Sequence, residues 1–239
     1  MQPLPAGPFG AIVADPPWSF NDRGTRLAPG YAGDQRKGSR HYGVLSLDEI
    51  CDLRIEEIAA PDCFLFLWIP AALRESPCFR LMWHEPRPDA NDAMDAVWTY
   101  AQRVAARDVA NYEAVDAMHG YHVAVMDAWG FTPTGAEFVW VKGRIEKSQL
   151  IKQIGGGHTV RNAHETCIIC RRGKPERLDA GVASVILAPR TTHSTKPEAF
   201  YHAVEKLCAG PYLDLFGRRA RARWTVWGDQ APQTEVVGP

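Results

Sequence analysis

The stretch Phe9-Gly-Ala-Ile-Val-Ala-Asp-Pro-Pro-Trp-Ser-Phe20 constrains the fold more than any other part of the chain. Its apolar run from Ala11 to Ala14 has the length of a buried strand. The run stops on Asp15-Pro16-Pro17-Trp18. Each proline lacks a backbone donor and holds φ fixed, so the strand cannot continue. A carboxylate, two carbonyls and a large aromatic therefore gather just beyond a strand end, which is where ligands bind in an open α/β sheet. The set suits a flat heterocyclic amine. Asp15 can accept from one N–H, the Pro16 carbonyl from a second, and Trp18 offers a stacking face worth ~1–3 kcal/mol. An amine held in this way can attack an electrophile placed in line, and positioning supplies much of the rate. The plainer alternative is a strand ending in a Pro-rich turn with a core Trp.

Composition narrows the class. With 239 residues, 46% hydrophobic and 23% charged, the chain fits one α/β domain over 1–239. A net charge of -1 excludes a global basic field, so any nucleic-acid contact must come from local patches. No long apolar run predicts a membrane span. Met-Gln-Pro-Leu-Pro at the start lacks the basic and apolar regions of a signal peptide, and a cytoplasmic location is expected. Six cysteines sit mostly in apolar segments, which fits a reducing compartment. Cys167-Ile-Ile-Cys170 has the spacing of a metal or redox pair, but no second pair accompanies it. Buried small hydrophobes and no metal are the expectation.

Further along, Asn21 to His41 reads as a basic loop (Arg23, Arg26, Arg36, Lys37, Arg40), a candidate lid over the strand end. Ser46-Leu-Asp-Glu49 is a capping box that predicts a helix to about Ile58. Cys63 to Ile69 reads as a buried strand closed by Pro70. Residues 74–124 form a mainly helical insertion, with Met118, His122 and Val125 among its helix-face positions and Gly130 as a helix-ending glycine. Glu137 to Lys142 predicts a strand. Gly143 to His164 predicts a second basic loop (Arg144, Lys147, Lys152, Arg161) with a triple glycine at 155–157. Strands follow at Glu165–Arg171 and Ser184–Ala188. Thr195-Lys-Pro-Glu198 reads as a second capping box for a helix to about Cys208. Tyr212 to Phe216 then carries Asp214 near a strand end, Arg218, Arg219, Arg221 and Arg223 follow, and Trp224 to Trp227 is the last strand. Alternating strands and helices predict an α/β domain with a mostly parallel sheet and helices on both faces.

Several motifs recur in a fixed order: Ala14-Asp-Pro-Pro-Trp18, His41-Tyr42-Gly43, Phe64-Leu-Phe-Leu-Trp68, Trp140-Val-Lys142, Arg161-Asn-Ala-His-Glu165, Lys196-Pro-Glu198, Leu213-Asp-Leu-Phe-Gly-Arg218 and Trp227-Gly228. Together they resemble the DPPW-type adenine-N6 methyltransferases. That family includes the catalytic subunit of the eukaryotic mRNA adenosine methyltransferase and many bacterial and phage DNA enzymes. The resemblance implies a Rossmann-like methyltransferase fold in permuted order and S-adenosyl-L-methionine as cofactor. It implies catalysis by Asp15, Pro16, Pro17 and Trp18. Tyr42, Asn162 and Glu165 would line the adenine site with Trp18. Ala14, Asp15, Lys196, Asp214, Leu215, Phe216, Arg218, Asp229 and Gln230 would hold the cofactor. Members often carry Asn where Asp229 stands, and some carry His where Ala220 stands. The implied partner is nucleic acid, DNA before RNA, with room for a homodimer or a partner subunit. The target base would be flipped or single-stranded, because a stacked base is out of reach. A non-catalytic nucleic-acid-binding subunit of the same fold is the alternative from another class; such relatives typically lose the Asp-Pro-Pro-Trp chemistry retained here.

Overall fold

The computed structural model describes residues 2–18, 45–74, 77–79, 118–147, 149–152, 160–190 and 195–232. The first basic loop with Tyr42, most of the 74–124 insertion, the triple glycine and the last residues lie outside them.

Its strands are β1 (Phe9–Ala14), β2 (Ala59–Ile69), β3 (Pro77–Phe79), β4 (Met118–Gly120), β5 (Thr132–Glu146), β6 (Gln149–Lys152), β7 (His164–Arg172), β8 (Val185–Ala188), β9 (Tyr212–Leu215) and β10 (Trp224–Trp227). Its helices are α1 (Leu47–Cys51), α2 (Ile55–Ile58), α3 (Ala71–Arg74), α4 (Tyr121–Ala128) and α5 (Glu198–Leu207). Eight strands form one sheet in the order β10-β9-β1-β2-β7-β5-β6, with β8 also on β5. β1, β2, β5, β8, β9 and β10 run one way; β6 and β7 run the other. β3 and β4 make a separate pair.

Period-two alternation sorts the side chains into two cores. Cys63, Leu65, Leu67 and Ile69 join Ile12, Ile50, Ile55, Val125 and Trp129 on the face covered by α1, α2 and α4. Phe64, Phe66 and Trp68 join Val13, Phe138, Phe200, Tyr201 and Trp224 on the face covered by α5. Phe200 anchors α5, its ring meeting Trp68 at 4.8 Å, Phe138 at 5.7 Å and Phe66 at 6.3 Å, mostly edge to face. That contact sets the start of α5 over the ends of the central strands.

Several expectations change in detail. The Ser46 capping box forms, with the Glu49 N–H on Ser46 Oγ at 3.2 Å and the Ser46 N–H on Glu49 Oε2 at 2.7 Å. The helix it starts breaks after Cys51, however. A turn at 52–54 re-aims the chain so that Ile55 and Ile58 enter the core that holds Ile50. Pro61 falls inside β2, at its exposed start, where the ladder to β1 is irregular and a missing donor is tolerated. Met118 lies in β4, not on a helix. Gly130 does end α4. Its φ is +74°, and the Phe131 N–H on the Met126 carbonyl at 2.9 Å with the Gly130 N–H on the Asp127 carbonyl at 3.1 Å makes a Schellman motif. The expected loop after Gly143 begins instead as a hairpin, because β5 runs on to Glu146 and β6 pairs back on it. The second capping box is absent. Pro197 is the N-cap of α5 without a side-chain bond, and Lys196 turns inward.

No helix among the described residues is long and apolar enough to cross a membrane. Cys167 and Cys170 sit three apart on β7 and so face opposite cores. They cannot close on one ion or on each other. Burial pushes the Cys170 thiol up to about 12 and that of Cys167 well above its ordinary value, as expected of inert core cysteines.

Candidate active site

β1 is the point where the connections diverge: β2 follows on one side, and β9 and β10 return on the other. Parallel strands that part in this way leave a crevice at their carboxyl ends. Here the crevice is lined by Val13 and Asp15 from β1 and its exit, by Asp214, Phe216 and Gly217 from β9 and its exit, and by Thr195, Lys196 and Tyr201 around the start of α5. Arg218, Arg219 and Arg221 form its basic rim. The space among them, counted together with volume open to solvent, is about 390 Å³.

The turn out of β1 is pinned at several points. The Asp15 N–H reaches the Leu215 carbonyl at 3.5 Å, the Trp18 N–H donates to the Pro16 carbonyl at 2.8 Å, and the Leu45 N–H donates to the Pro17 carbonyl at 3.0 Å. The Pro16 oxygen keeps a second lone pair for a ligand. Trp18 differs from the expected stacking platform. It is 6% exposed, packs in the core on the α1 and α4 face, and donates its indole N–H to the Trp68 carbonyl at 3.1 Å. Its position makes it an anchor for the turn.

Lys196 is the hub of the site. Its Nζ lies 2.8 Å from Asp15 Oδ2, 2.9 Å from Glu165 Oε2 and 4.7 Å from the centre of the Trp68 ring. Lys142, also buried, approaches Glu165 Oε1 at 2.6 Å from the middle of β5. Two ammonium groups and two carboxylates thus neutralise one another. Burial alone would raise the Glu165 carboxyl, yet the two lysines outweigh it and hold the pKa down at about 2. Burial opposes the charge on Lys196, but Asp15 and Glu165 drive its pKa above the ordinary lysine value. For Asp15 burial wins. Its carboxyl stands above its ordinary value although Lys196 pulls it down.

Asp214 stands apart from this network. It is 5% exposed, and Tyr201 donates its hydroxyl to Oδ2 at 2.9 Å. Burial pushes its carboxyl up to about 7, against the Tyr201 hydrogen bond and the Arg221 charge. Phe216 follows at φ +67°, a strained value for a bulky residue, fixed by its N–H on the Trp227 carbonyl at 2.5 Å. Gly217 is required here, because a Cβ would stand 2.7 Å from the Asp214 carboxyl and 2.7 Å from Val226.

The crevice thus gathers Asp15, Lys196, Asp214, Phe216 and Arg218 of the expected residues, with Glu165 tied in through Lys196. The side chains of Ala14 and Leu215 point the other way, into the α1 and α4 core. Asp229 and Gln230 lie in the exposed turn after β10, and Asn162 lies half-buried ahead of β7; none of the three lines the crevice. Tyr42 is outside the described residues. Sequence reasoning assigned no site role to Lys142, Trp68, Tyr201 or Arg221. A lysine directly after the apolar run Phe138–Val141, within the motif Trp140-Val-Lys142, was an available signal, since a charge on a buried strand has to find a partner.

Comparison with known proteins places this geometry. A family model described as MT-A70 matches residues 110–230, a segment that holds Lys142, Glu165, Lys196 and Asp214 and leaves out Asp15. A type II methyltransferase, M.MunI of a Mycoplasma species, is 23% identical over 99% of this chain and 83% of its own length. The human N(6)-adenine-specific methyltransferase METTL4 is 23% identical over 96% of this chain. A Drosophila melanogaster N(6)-adenosine-methyltransferase MT-A70-like protein is 30% identical over 46% of it. The alignments span only 39% of the human relative and 19% of the fly one.

Proposed function

This chain belongs to the MT-A70 family, and from that premise we propose that it transfers a methyl group from S-adenosylmethionine to the N6 amine of adenine in DNA. The observation that carries the reading is the pinned Asp15 carboxylate at the crevice end of β1, beside Lys196 and the ionised Glu165. The order of the chain supports a permuted methyltransferase fold, since the strand leading to Asp15 precedes the strand bearing Asp214.

The residues present fit the cofactor. Asp214 has acceptor capacity beyond its Tyr201 bond, which suits ribose hydroxyls. Phe216 offers an aromatic wall, and Arg218 and Lys196 offer cations for a carboxylate. Bound there, S-adenosylmethionine would supply an electrophilic methyl group. Asp15 would accept from one N6 hydrogen and the Pro16 carbonyl from the other, leaving the nitrogen lone pair free to attack. Glu165, locked as a carboxylate, can only accept, which favours a base that presents donors. As the bond to N6 formed and the methyl group's bond to the cofactor sulfur broke, the amine would give up one proton. Asp15, with its raised pKa, is the acceptor within reach.

DNA is favoured by the likeness along nearly the whole chain to the Mycoplasma type II enzyme. Arg144 and Lys147 on the β5–β6 hairpin, and exposed Arg161 ahead of β7, would contact phosphates, so binding should weaken steeply with salt.

The test is methyl transfer from labelled cofactor to matched single- and double-stranded DNA and RNA, with nucleoside analysis. N6-methyladenine in DNA is expected. The same product in RNA alone would overturn the substrate; no transfer to any strand would overturn the activity. Asp15→Asn should lower the rate ~10²–10³-fold while the thermal midpoint moves by only a few degrees.

A further inference from the structure

Behind the crevice, a chain of side chains leads from Asp214 to the start of α5. The Tyr201 hydroxyl holds Asp214 Oδ2 at 2.9 Å. Phe200 and Trp224 meet the Tyr201 ring edge-on at 5.3 and 5.2 Å, and the Arg221 guanidinium covers it 3.6 Å from its centre. Arg221 in turn forks onto Glu198, the first residue of α5, through both terminal nitrogens. The tyrosine ring is thus packed against two aromatic rings and a guanidinium. Its one polar atom is directed at a carboxylate whose other side borders the crevice.

We propose that Tyr201 is a positioning residue. By holding one oxygen of Asp214 it turns the remaining lone pairs toward the crevice, where they capture the vicinal hydroxyls of the cofactor ribose. This rests on the cofactor reading above. A carboxylate has two oxygens and about four acceptor sites. A diol needs two of them, and a buried carboxylate without a fixed partner would rotate or take up a proton.

The groups that face Asp214 are Tyr201 and Lys196 from α5 and its lead-in, Arg221 from the turn before β10, and Asp15 from the exit of β1; Val226 alongside on β10 is apolar. Burial holds its carboxyl near 7, and the Tyr201 donor keeps it from rising further. The diol-bound form needs the ionised carboxylate, so binding releases a proton from the protonated site. Affinity therefore falls as pH falls through about 7. Without the Tyr201 hydroxyl that fall begins at higher pH.

The experiment is titration calorimetry at pH 6, 7 and 8 with S-adenosylhomocysteine and with its 2′,3′-dideoxy analogue. The unaltered protein should prefer the diol, and the preference should shrink toward pH 6. Tyr201→Phe, which keeps the ring under Arg221, should weaken the diol ligand about tenfold, as for a lost bond to a charged group. It should leave the dideoxy analogue nearly unchanged and move the pH dependence upward. Tyr212→Phe loses a hydroxyl bound to the Cys208 carbonyl at 2.8 Å, away from the crevice lining, and should change neither ligand. Asp214→Asn is the second variant and should erase the diol preference by itself. Equal weakening of both ligands in Tyr201→Phe, or no weakening, overturns the positioning role. Equal binding of both ligands by the unaltered protein overturns the diol role of Asp214 and leaves the cofactor reading standing. Binding of neither overturns the cofactor reading, and the positioning role with it.

Discussion

Two charged clusters flank the exit of β1, and they solve the same burial problem in opposite ways. Around Lys196, two carboxylates and two ammonium groups cancel, and Glu165 is locked in the ionised form with its pKa near 2. Around Asp214 the nearest partner is a neutral hydroxyl, and the carboxyl is left near 7. Asp214 is the more deeply buried, 5% exposed against 35% for the Glu165 side chain, and its closest contact is a dipole where Glu165 has two full charges. In the first cluster Glu165 stays ionised across the neutral range. The second can change state within it.

The contrast has signs that can be measured. Glu165, depressed from 4.5 to about 2, contributes stability that is complete above 4.5 and lost as pH falls toward 2. Asp214, raised from 3.8 to about 7, acts in the other direction and lowers stability as pH rises from 3.8 through 7.

Lys196→Met should have the largest effect, since it turns the locked cluster into a titrating one. It leaves Asp15 and Glu165 facing each other without their shared cation. Methyl transfer should be lost, and urea unfolding should show a deficit of ~2 kcal/mol at pH 7. That is below the full cost of a broken buried pair, because both carboxylates keep about a third of their side-chain surface open. The deficit should shrink toward pH 4 as the carboxylates protonate. A deficit independent of pH would mean that Lys196 contributes by packing and not by its charge.

Glu165→Gln should come next. It should cost ~1 kcal/mol at pH 7, discounted for the 35% of the side chain left exposed. Parallel unfolding curves should converge on those of the unaltered protein as pH falls from 5 toward 2. Glu198→Gln should have the smallest effect. Half-exposed Glu198 steadies Arg221 over Tyr201 and also pairs with Arg219, so a loss of about 0.5 kcal/mol and a two- to threefold weaker diol ligand are expected. An effect as large as that of Tyr201→Phe would shift the positioning role from the tyrosine to the arginine.

The framework was legible because its signals are local. An apolar run cut by two prolines, a Ser46–Glu49 capping box that forms, a helix-ending Gly130 and a continuous apolar run at Cys63–Ile69 are each signals carried by neighbouring residues. The misread places are those where a distant partner outweighs a local preference. Thr195-Lys-Pro-Glu198 has the spelling of a capping box, but Lys196 is drawn inward by Asp15 and Glu165, which lie far from it in sequence. The segment after Gly143 looks like a loop by composition, yet pairing of β6 on β5 makes it a hairpin. Trp18, expected as a platform from its place after the prolines, lies buried with its indole N–H on the Trp68 carbonyl.

By itself, then, the sequence determined which strand ends abruptly at Asp15, which residue types surround that end, and the family to which the chain belongs, because each of these is written in contiguous or ordered residues. Only the tertiary structure decided the electrostatics. Whether a carboxylate is locked or poised depends on which cation or hydroxyl the sheet order and α5 bring within 3 Å of it, and for Asp15, Glu165 and Asp214 those groups come from other elements.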